Sequence, residues 1–314
     1  MEFSEYYVAY FDVLGYKEAF KKSEEVSVKL VRSIEKSIDL TKKIVSIVNS
    51  LSNESTDDSF EIEYKIFSDN ILICYRETKN SFSELHLVFF LRLIATVQRI
   101  FFEGCKLVVR GGITKGPLYL TDDFVSGKAL IDAVELENTA IYPRIVVDNC
   151  VLDILKSKIH GDDISKYIVE ASCRDLLVKH TDDIFFLNYI ISFDPWIWFP
   201  KNGARPKNIE SVEEIEKNYS EGRLRKPIYN PECLEEVFVI LKKHKDFVEA
   251  KINEFSQSSS DMAEETRLKI LKKYLWLVSF HNRICKEMYD KPEFRINLKS
   301  EFNERTLAFD VSVS

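Results

Sequence analysis

The sequence predicts an α+β fold, a ferredoxin-like βαββαβ palm followed by a mostly helical C-terminal extension. Three observations carry this prediction. Residues 6–12 (YYVAYFD) are short, aromatic and β-branched and run into Val-Leu-Gly, the pattern of a buried strand entering a turn. Residues 60–67 and 71–75 are two further strand-like runs, joined by Ser68-Asp69-Asn70, a hairpin composition. Between and after these strands stand long stretches whose apolar residues recur at three- and four-residue steps.

In order, the first strand feeds a helix over about 17–50, carried by Val28, Leu30, Val31, Ile34, Ile38, Ile44 and Ile47. A polar loop at 50–59 leads to the hairpin. Residues 81–102 predict a strongly apolar second helix, ended by Gly104. Residues 106–114 predict a strand in which Gly111-Gly112 permits close backbone approach, and 117–120 a short hairpin partner. Helical spacing returns at 127–138, through Ala129, Leu130, Ala133, Val134, Leu136 and Glu137. A strand at 144–147 and a short helix at 149–156 complete the βαββαβ plan with additions.

Beyond about residue 160 the character changes, so the expected domains are 1–160 and 161–314. One more strand is expected at 183–191. Residues 193–221 read as irregular, with Pro195, Pro200, Gly203 and Pro206, and with Trp196 and Trp198 stapling the segment to the core or offering a partner surface. Residues 231–255 and 261–289, separated by serine-rich 256–260, predict an antiparallel helical hairpin packed on the first domain. Trp276, His281 and Asn282 read as its packing face with one buried polar anchor. The tail, 294–314, is weakly patterned.

Composition narrows the function. Of 314 residues, 45% are apolar and 30% charged, the profile of a soluble globular protein. A net charge of −7 provides no global field for nucleic acid or an anionic membrane, so a nucleotide ligand needs local positive charge or a metal. The six cysteines, Cys74, Cys105, Cys150, Cys173, Cys233 and Cys285, show no CxxC pair, which points away from a zinc site or a disulfide framework. The N-terminal MEFSEYYVAY lacks a signal-peptide pattern. The longest apolar run, 85–102, is broken by His86, Arg92, Gln98 and Arg99 and falls short of the roughly 18–20 residues of a membrane span. A reducing cytosol is the expected location.

The chemistry concentrates at two aspartates. In a palm-type unit, Asp12 at the end of the first strand and Asp69 in the hairpin lie side by side. Two carboxylates at one point repel unless a cation joins them. With the carbonyl of Val13 they form a hard oxygen set suited to Mg²⁺ or Mn²⁺. Two such ions would activate a ribose 3′-hydroxyl and hold a triphosphate for in-line displacement. Taken singly, Asp12 is also a helix cap and Asp69 a turn residue.

The turn after the first strand, Val13-Leu14-Gly15-Tyr16, aims backbone N–H groups toward a helix start, where Leu14, Gly15 and Tyr16 would meet phosphate oxygens. A haloacid dehalogenase-type phosphatase would want a second Asp at position 14, where Leu14 stands. Arg110, opening Arg-Gly-Gly-Ile-Thr-Lys-Gly, is a candidate catalytic cation. Lys128 and Arg144 are candidate triphosphate contacts. As lone basic residues, these three also read as solvated surface charges.

Together these segments resemble the class III nucleotide cyclases. That family's first-strand Asp is followed by a hydrophobic residue, a variable one and Gly-aromatic, matched here by Asp12-Val13-Leu14-Gly15-Tyr16. Its second metal Asp follows a small residue in a hairpin, as in Ser68-Asp69. Its Arg-x-Gly-Ile-x-x-Gly strand matches Arg110 to Gly116, and its later segments match the helix after Gly127 and the strand 143–147 followed by Asp148. The match covers about residues 5–155. Lys65 falls where purine cyclases often keep a base-selecting Lys. The family's Asn and Arg on the following helix are absent from Leu130-Ile131-Asp132-Ala133-Val134-Glu135.

The set FDVLGY, FSDNILI, RGGITKGPLY and ALIDAVELENTAIYPRI looks most like the bacterial Pycsar pyrimidine cyclases. That resemblance implies conversion of UTP, or CTP, to a 3′,5′-cyclic monophosphate and pyrophosphate, with two Mn²⁺ or Mg²⁺ ions at Asp12, Val13 and Asp69. It implies a homodimer, a role in antiphage defence and a separate effector protein that responds to the cyclic nucleotide. The alternatives are a catalytically inactive nucleotide-binding sensor and an interaction protein acting through its helical half.

Overall fold

The structure is a computed structural model that describes residues 2–22, 24–52, 59–77, 83–159, 172–173, 176–180, 182–191, 231–257 and 262–298. Its central strand is β1 (Ser4–Leu14), flanked antiparallel by β3 (Asn70–Arg76) and β4 (Val108–Leu120). Outside β3 lies β2 (Ile62–Phe67). Outside β4 come β6 (Ile145–Val147), parallel to it, then β8 (Phe185–Leu187) and β7 (Leu177–Lys179). The order is β2-β3-β1-β4-β6-β8-β7, with β5 (Val125–Ser126) folded back on β4. The first four strands, with helices between β1 and β2 and between β3 and β4, make the ferredoxin-like plan expected from the sequence.

Alternation along β1 divides the core into two layers. Tyr7, Ala9, Phe11 and Val13 face α2 (Glu24–Ser52) and α3 (Ser83–Cys105), joining Leu30, Ile44, Leu87, Phe90 and Phe101. Tyr6 and Val8 face the opposite side and pack with Leu72, Cys74 and Leu118 against Ala129 and Ala133 of α4 (Lys128–Thr139). The remaining α-helices among the described residues are α1 (Tyr16–Lys22), α5 (Asn149–Ile159), α6 (Pro231–Ser256) and α7 (Glu264–Arg283).

Small residues decide how close the helices come. Ser33, Ser37 and Thr41 are buried at four-residue steps on α2, each hydroxyl returning to the carbonyl four residues back. Gly104 lies inside α3, where a Cβ would collide with Ser33 Oγ. It is therefore a contact between helices, not the expected terminator. Lys106, with φ 58°, makes the left-handed turn just after the helix. On the other face, a Cβ at Gly112 would collide with Leu136 Cβ and come within 2.9 Å of the Ala133 carbonyl. Gly112→Ala is expected to push α4 off the sheet and cost about 2 kcal/mol, read as a lower urea midpoint. An unchanged midpoint would mean that α4 has room to move.

Other expectations shift. The predicted 17–50 helix is two, α1 and α2. Residues 117–120 continue β4 instead of pairing with it. Pro117 is tolerated because β6 reaches β4 only at Gly111–Ile113 and β5 only at Tyr119 and Leu120, so its outer edge carries no ladder bond. The 183–191 strand is the shorter β8, and β7 was not foreseen. By length and apolarity, residues Leu85–Cys105 would suffice for a membrane span after all. However, 89% of the apolar window is buried in protein. His86, Arg92, Gln98 and Arg99 are buried too, with Arg99 Nη1 donating to the Ile191 carbonyl at 2.7 Å. The irregular 193–221 segment with Trp196 and Trp198, most of the 50–59 loop and the tail beyond 298 lie outside the described residues. Cys74, Cys105 and Cys285 are buried, Cys150 is exposed, and the described cysteines are free thiols.

The chain divides into two compact units, Met1–Leu234 and Glu235–Ser314. In the second, α6 and α7 run antiparallel, with Phe255 stacked on Tyr274 and His244 facing His281. The two imidazoles are nearly parallel, and their Nδ1 atoms lie 3.1 Å apart. His281 Nε2 sits 2.9 Å from the Phe294 carbonyl, which can only accept. Nε2 therefore carries the proton, His281 Nδ1 is the acceptor and His244 Nδ1 donates to it. Asn282 exchanges two hydrogen bonds with the backbone of Ile296.

Burial pushes His244 well below the ordinary histidine value, with His281 adding to it. Burial lowers His281 as well, against the raising effect of the Phe294 carbonyl. The unfolded chain therefore takes up protons, below a pH of about 6.5, that the folded unit refuses. Stability is intact above that pH and falls below it, by up to about 1.4 kcal/mol per pH unit for each histidine. Amide exchange in α6 and α7 is expected to accelerate between pH 7 and 5.5 beyond the intrinsic rate change. Equal protection across that range would exclude the histidine pair as the cause.

Candidate active site

β1 carries Asp12 toward its C-terminal end on the α4 face of the sheet, shared with Tyr10. Cross-strand register sets its neighbours: Asn70 of β3 on one side and Arg110 of β4 on the other. The β2–β3 turn is tight, with Ser68 at φ 61°. It brings Asp69 beside β1, where the Asp69 carbonyl accepts the Val13 N–H at 2.9 Å. The two aspartates thus occupy adjacent places at one end of two neighbouring strands.

A hydrogen-bond chain orients this end. The Tyr10 hydroxyl donates to Asn70 Oδ1 at 2.6 Å, and Asn70 Nδ2 donates to Asp69 Oδ1 at 3.2 Å. Burial raises the Tyr10 pKa, and Glu137, Asp12 and Asp69 raise it further. The phenol therefore stays a donor.

Arg110 is the cation beside Asp12. Its Nη2 lies 4.0 Å from Asp12 Oδ2 and makes a close ion pair with Glu137 of α4. Glu137 is buried. It reaches Arg110 because Gly112 and Gly116 let α4 lie against β4, where Ala129 comes within van der Waals range of a Cβ placed at Gly116. Arg110 Nε is buried without a hydrogen-bond partner among the described residues. The side chain as a whole is 24% exposed, so the guanidinium also offers positive charge to an anionic group at the solvent side.

The donor set around Asp12 and Asp69 is hard oxygen, as Mg²⁺ or Mn²⁺ would require, and Arg110 already supplies one positive charge to it. Among the described residues no three His, Cys, Asp or Glu side chains lie close enough together to hold a metal on their own. A cation here would therefore rest on the aspartate pair, backbone carbonyls such as that of Val13, water and substrate oxygens.

The other sequence candidates fall in different places. Leu14 ends β1 opposite Val108. Gly15 follows with φ +82°, a conformation that glycine adopts freely, and its carbonyl accepts the Ala19 N–H at 2.9 Å to start α1. Tyr16 packs against Phe20, the two rings tilted with centroids 4.6 Å apart. Lys65 Nζ donates to the Asp122 carbonyl at 2.7 Å. Lys128 is largely exposed and ion-paired with Asp132.

Arg144 is buried in another setting, bidentate to Asp182 through Nη1 at 3.4 Å and Nη2 at 2.8 Å. Its guanidinium also lies over the Phe186 ring at 5.8 Å. Its backbone carbonyl accepts the Gly111 N–H at 3.0 Å. Sequence reasoning missed Tyr10, Asn70 and Glu137. The first two were signalled by their places two before Asp12 and one after Asp69.

No protein-family model and no curated protein matches the chain. Solved structures that resemble it include the following two. The adenylyl cyclase CyaB from P. aeruginosa is 12% identical, covers 60% of this chain and 95% of its own, and has a TM-score of 0.41. A class III adenylyl cyclase-like ATP-binding protein from Pseudomonas aeruginosa is 10% identical, covers 51% of this chain and 37% of its own, with a TM-score of 0.32.

Proposed function

We propose that this chain is a metal-dependent nucleotide cyclase that converts a pyrimidine nucleoside triphosphate, UTP in preference to CTP, to its 3′,5′-cyclic monophosphate and pyrophosphate. The observation that carries the reading is the juxtaposition of Asp12, Asp69 and Arg110 at the end of three adjacent strands. The sequence motifs anticipate this grouping in the order that class III cyclases use.

In the reaction the ribose 3′-oxygen bonds to the α-phosphorus, the bond from that phosphorus to the bridging β-oxygen breaks, and the 3′-hydroxyl proton leaves to solvent. Divalent ions, when bound, lower the pKa of the hydroxyl and offset triphosphate charge. Asp12 and Asp69 would hold them, with the Val13 carbonyl as a further ligand. Tyr10 and Asn70 fix the direction of Asp69, and Arg110 offers its donors to the phosphates. A cytosolic setting, a homodimer and an effector protein that reads the cyclic product in antiphage defence belong to the same reading.

A second reading, a nucleotide-binding sensor without turnover, is favoured by α4, which carries Ile131, Glu135 and Glu137 and no Arg. The two are separated by incubating the protein with Mn²⁺ and each ribonucleoside triphosphate singly, then identifying products by mass spectrometry. Cyclic UMP or CMP that disappears in Asp12→Asn supports the cyclase. A cyclic purine removes the pyrimidine assignment. Metal-dependent binding with no product favours the sensor.

A further inference from the structure

Arg110 stands between two carboxylates of unequal standing. Glu137 is buried and comes from α4, while Asp12, from β1, is 23% exposed in its side chain and lies in the proposed metal site. The guanidinium makes its close contact with Glu137 and keeps a looser one, 4.0 Å, with Asp12. A cation bound to Asp12 must share that carboxylate with Arg110, because two positive charges on one carboxylate repel.

We infer that Glu137 is a positioning residue that holds Arg110 back from Asp12, so that the aspartate can accept a divalent ion while the guanidinium stays aimed at the phosphates. The inference rests on the metal-site reading above. Without Glu137, Asp12 is the carboxylate left beside Arg110 among the described residues, and the guanidinium closes on it as an internal substitute for the metal. Glu137 is suited to the role because the close seat of α4 on Gly112 fixes its backbone, and burial keeps water from competing for the pair.

The test is a double-mutant cycle on Mn²⁺ affinity, measured in the full chain without nucleotide by the loss of free-ion electron paramagnetic resonance signal. Arg110→Gln is expected to tighten Mn²⁺ binding several-fold. Glu137→Gln is expected to weaken it by about 10-fold, a coupling of the size found for neighbouring charged groups. In the double variant, affinity returns to that of Arg110→Gln alone. Equal weakening by Glu137→Gln with and without Arg110 would overturn the inference and make Glu137 a simple field charge. No effect of Glu137→Gln in either background would overturn it too.

Thermal melts of all four proteins show whether each is folded. Should Glu137→Gln fail to fold, Glu137→Asp, which shortens the reach to Arg110, is expected to weaken Mn²⁺ binding only while Arg110 is present. Failure of the underlying reading looks different: no Mn²⁺ binding in the unaltered chain that Asp12→Asn removes.

Discussion

Asp69→Asn, and separately Asp12→Asn, are expected to leave a folded protein that has lost nucleotide turnover by at least about 10³-fold, roughly 4 kcal/mol of barrier. Asparagine keeps the shape of each side chain. At position 69 the main-chain bond to Val13 survives, and the side chain still has an oxygen to accept the Asn70 amide. What disappears is a negative charge where a hard cation needs one. The melting temperature of each variant is therefore expected to stay close to the original while product formation with Mn²⁺ collapses. Full turnover in Asp69→Asn would remove that residue from the metal site.

Asp182→Ala is expected to have the largest effect on stability, about 3 kcal/mol, read from the urea midpoint of the full chain. Burial tends to push the Asp182 carboxyl up, yet hydrogen bonds and charge from Arg144 hold it below the usual carboxylate range. Removing it strands the Arg144 guanidinium, 2% exposed, between aromatic rings and with Nε already lacking a hydrogen-bond partner among the described residues. Replacing both partners, Arg144→Met with Asp182→Leu, is expected to recover most of the loss, because no charge is then left buried. A loss under 1 kcal/mol in Asp182→Ala would show that Arg144 escapes to water.

The site and the fold differ in what could be read from sequence. β1 and the β2–β3 hairpin are local: alternation, β-branching and a Ser-Asp-Asn turn announce them, and the two aspartates come with them. Glu137 is not local. In the sequence it falls within the helical spacing of 127–138 with nothing to mark it as a site residue, and only the approach of α4 over Gly112 makes it the partner of Arg110. The signal was present in Gly-Gly, read as close backbone approach without a named neighbour.

Arg144 misled in the opposite sense. Its place before β6 suggests a phosphate contact, and its partner Asp182 lies 38 residues away, beyond any pattern that a window could hold. His244 was silent for the same reason, its partner being on a second helix. Gly104 and Pro117 were read by local rules that packing and an unpaired strand edge override. β7, with three residues, is too short to show a period.

The burial of α3 has a consequence for how the protein must be made. Strand order places β4 beside β1, yet the chain emerges from the ribosome with α3 complete at residue 105 and β4 finished only at residue 120. During that interval a helix long and apolar enough to span a bilayer can pack on α2, which is already made, but not yet on β4, and the first strand still has a vacant edge. Such a nascent segment is a target for chaperones, for the insertion machinery and for self-association. The strand that closes β1 is also the one that delivers Arg110, so the pairing that fills this edge also brings Arg110 beside Asp12 in the proposed site.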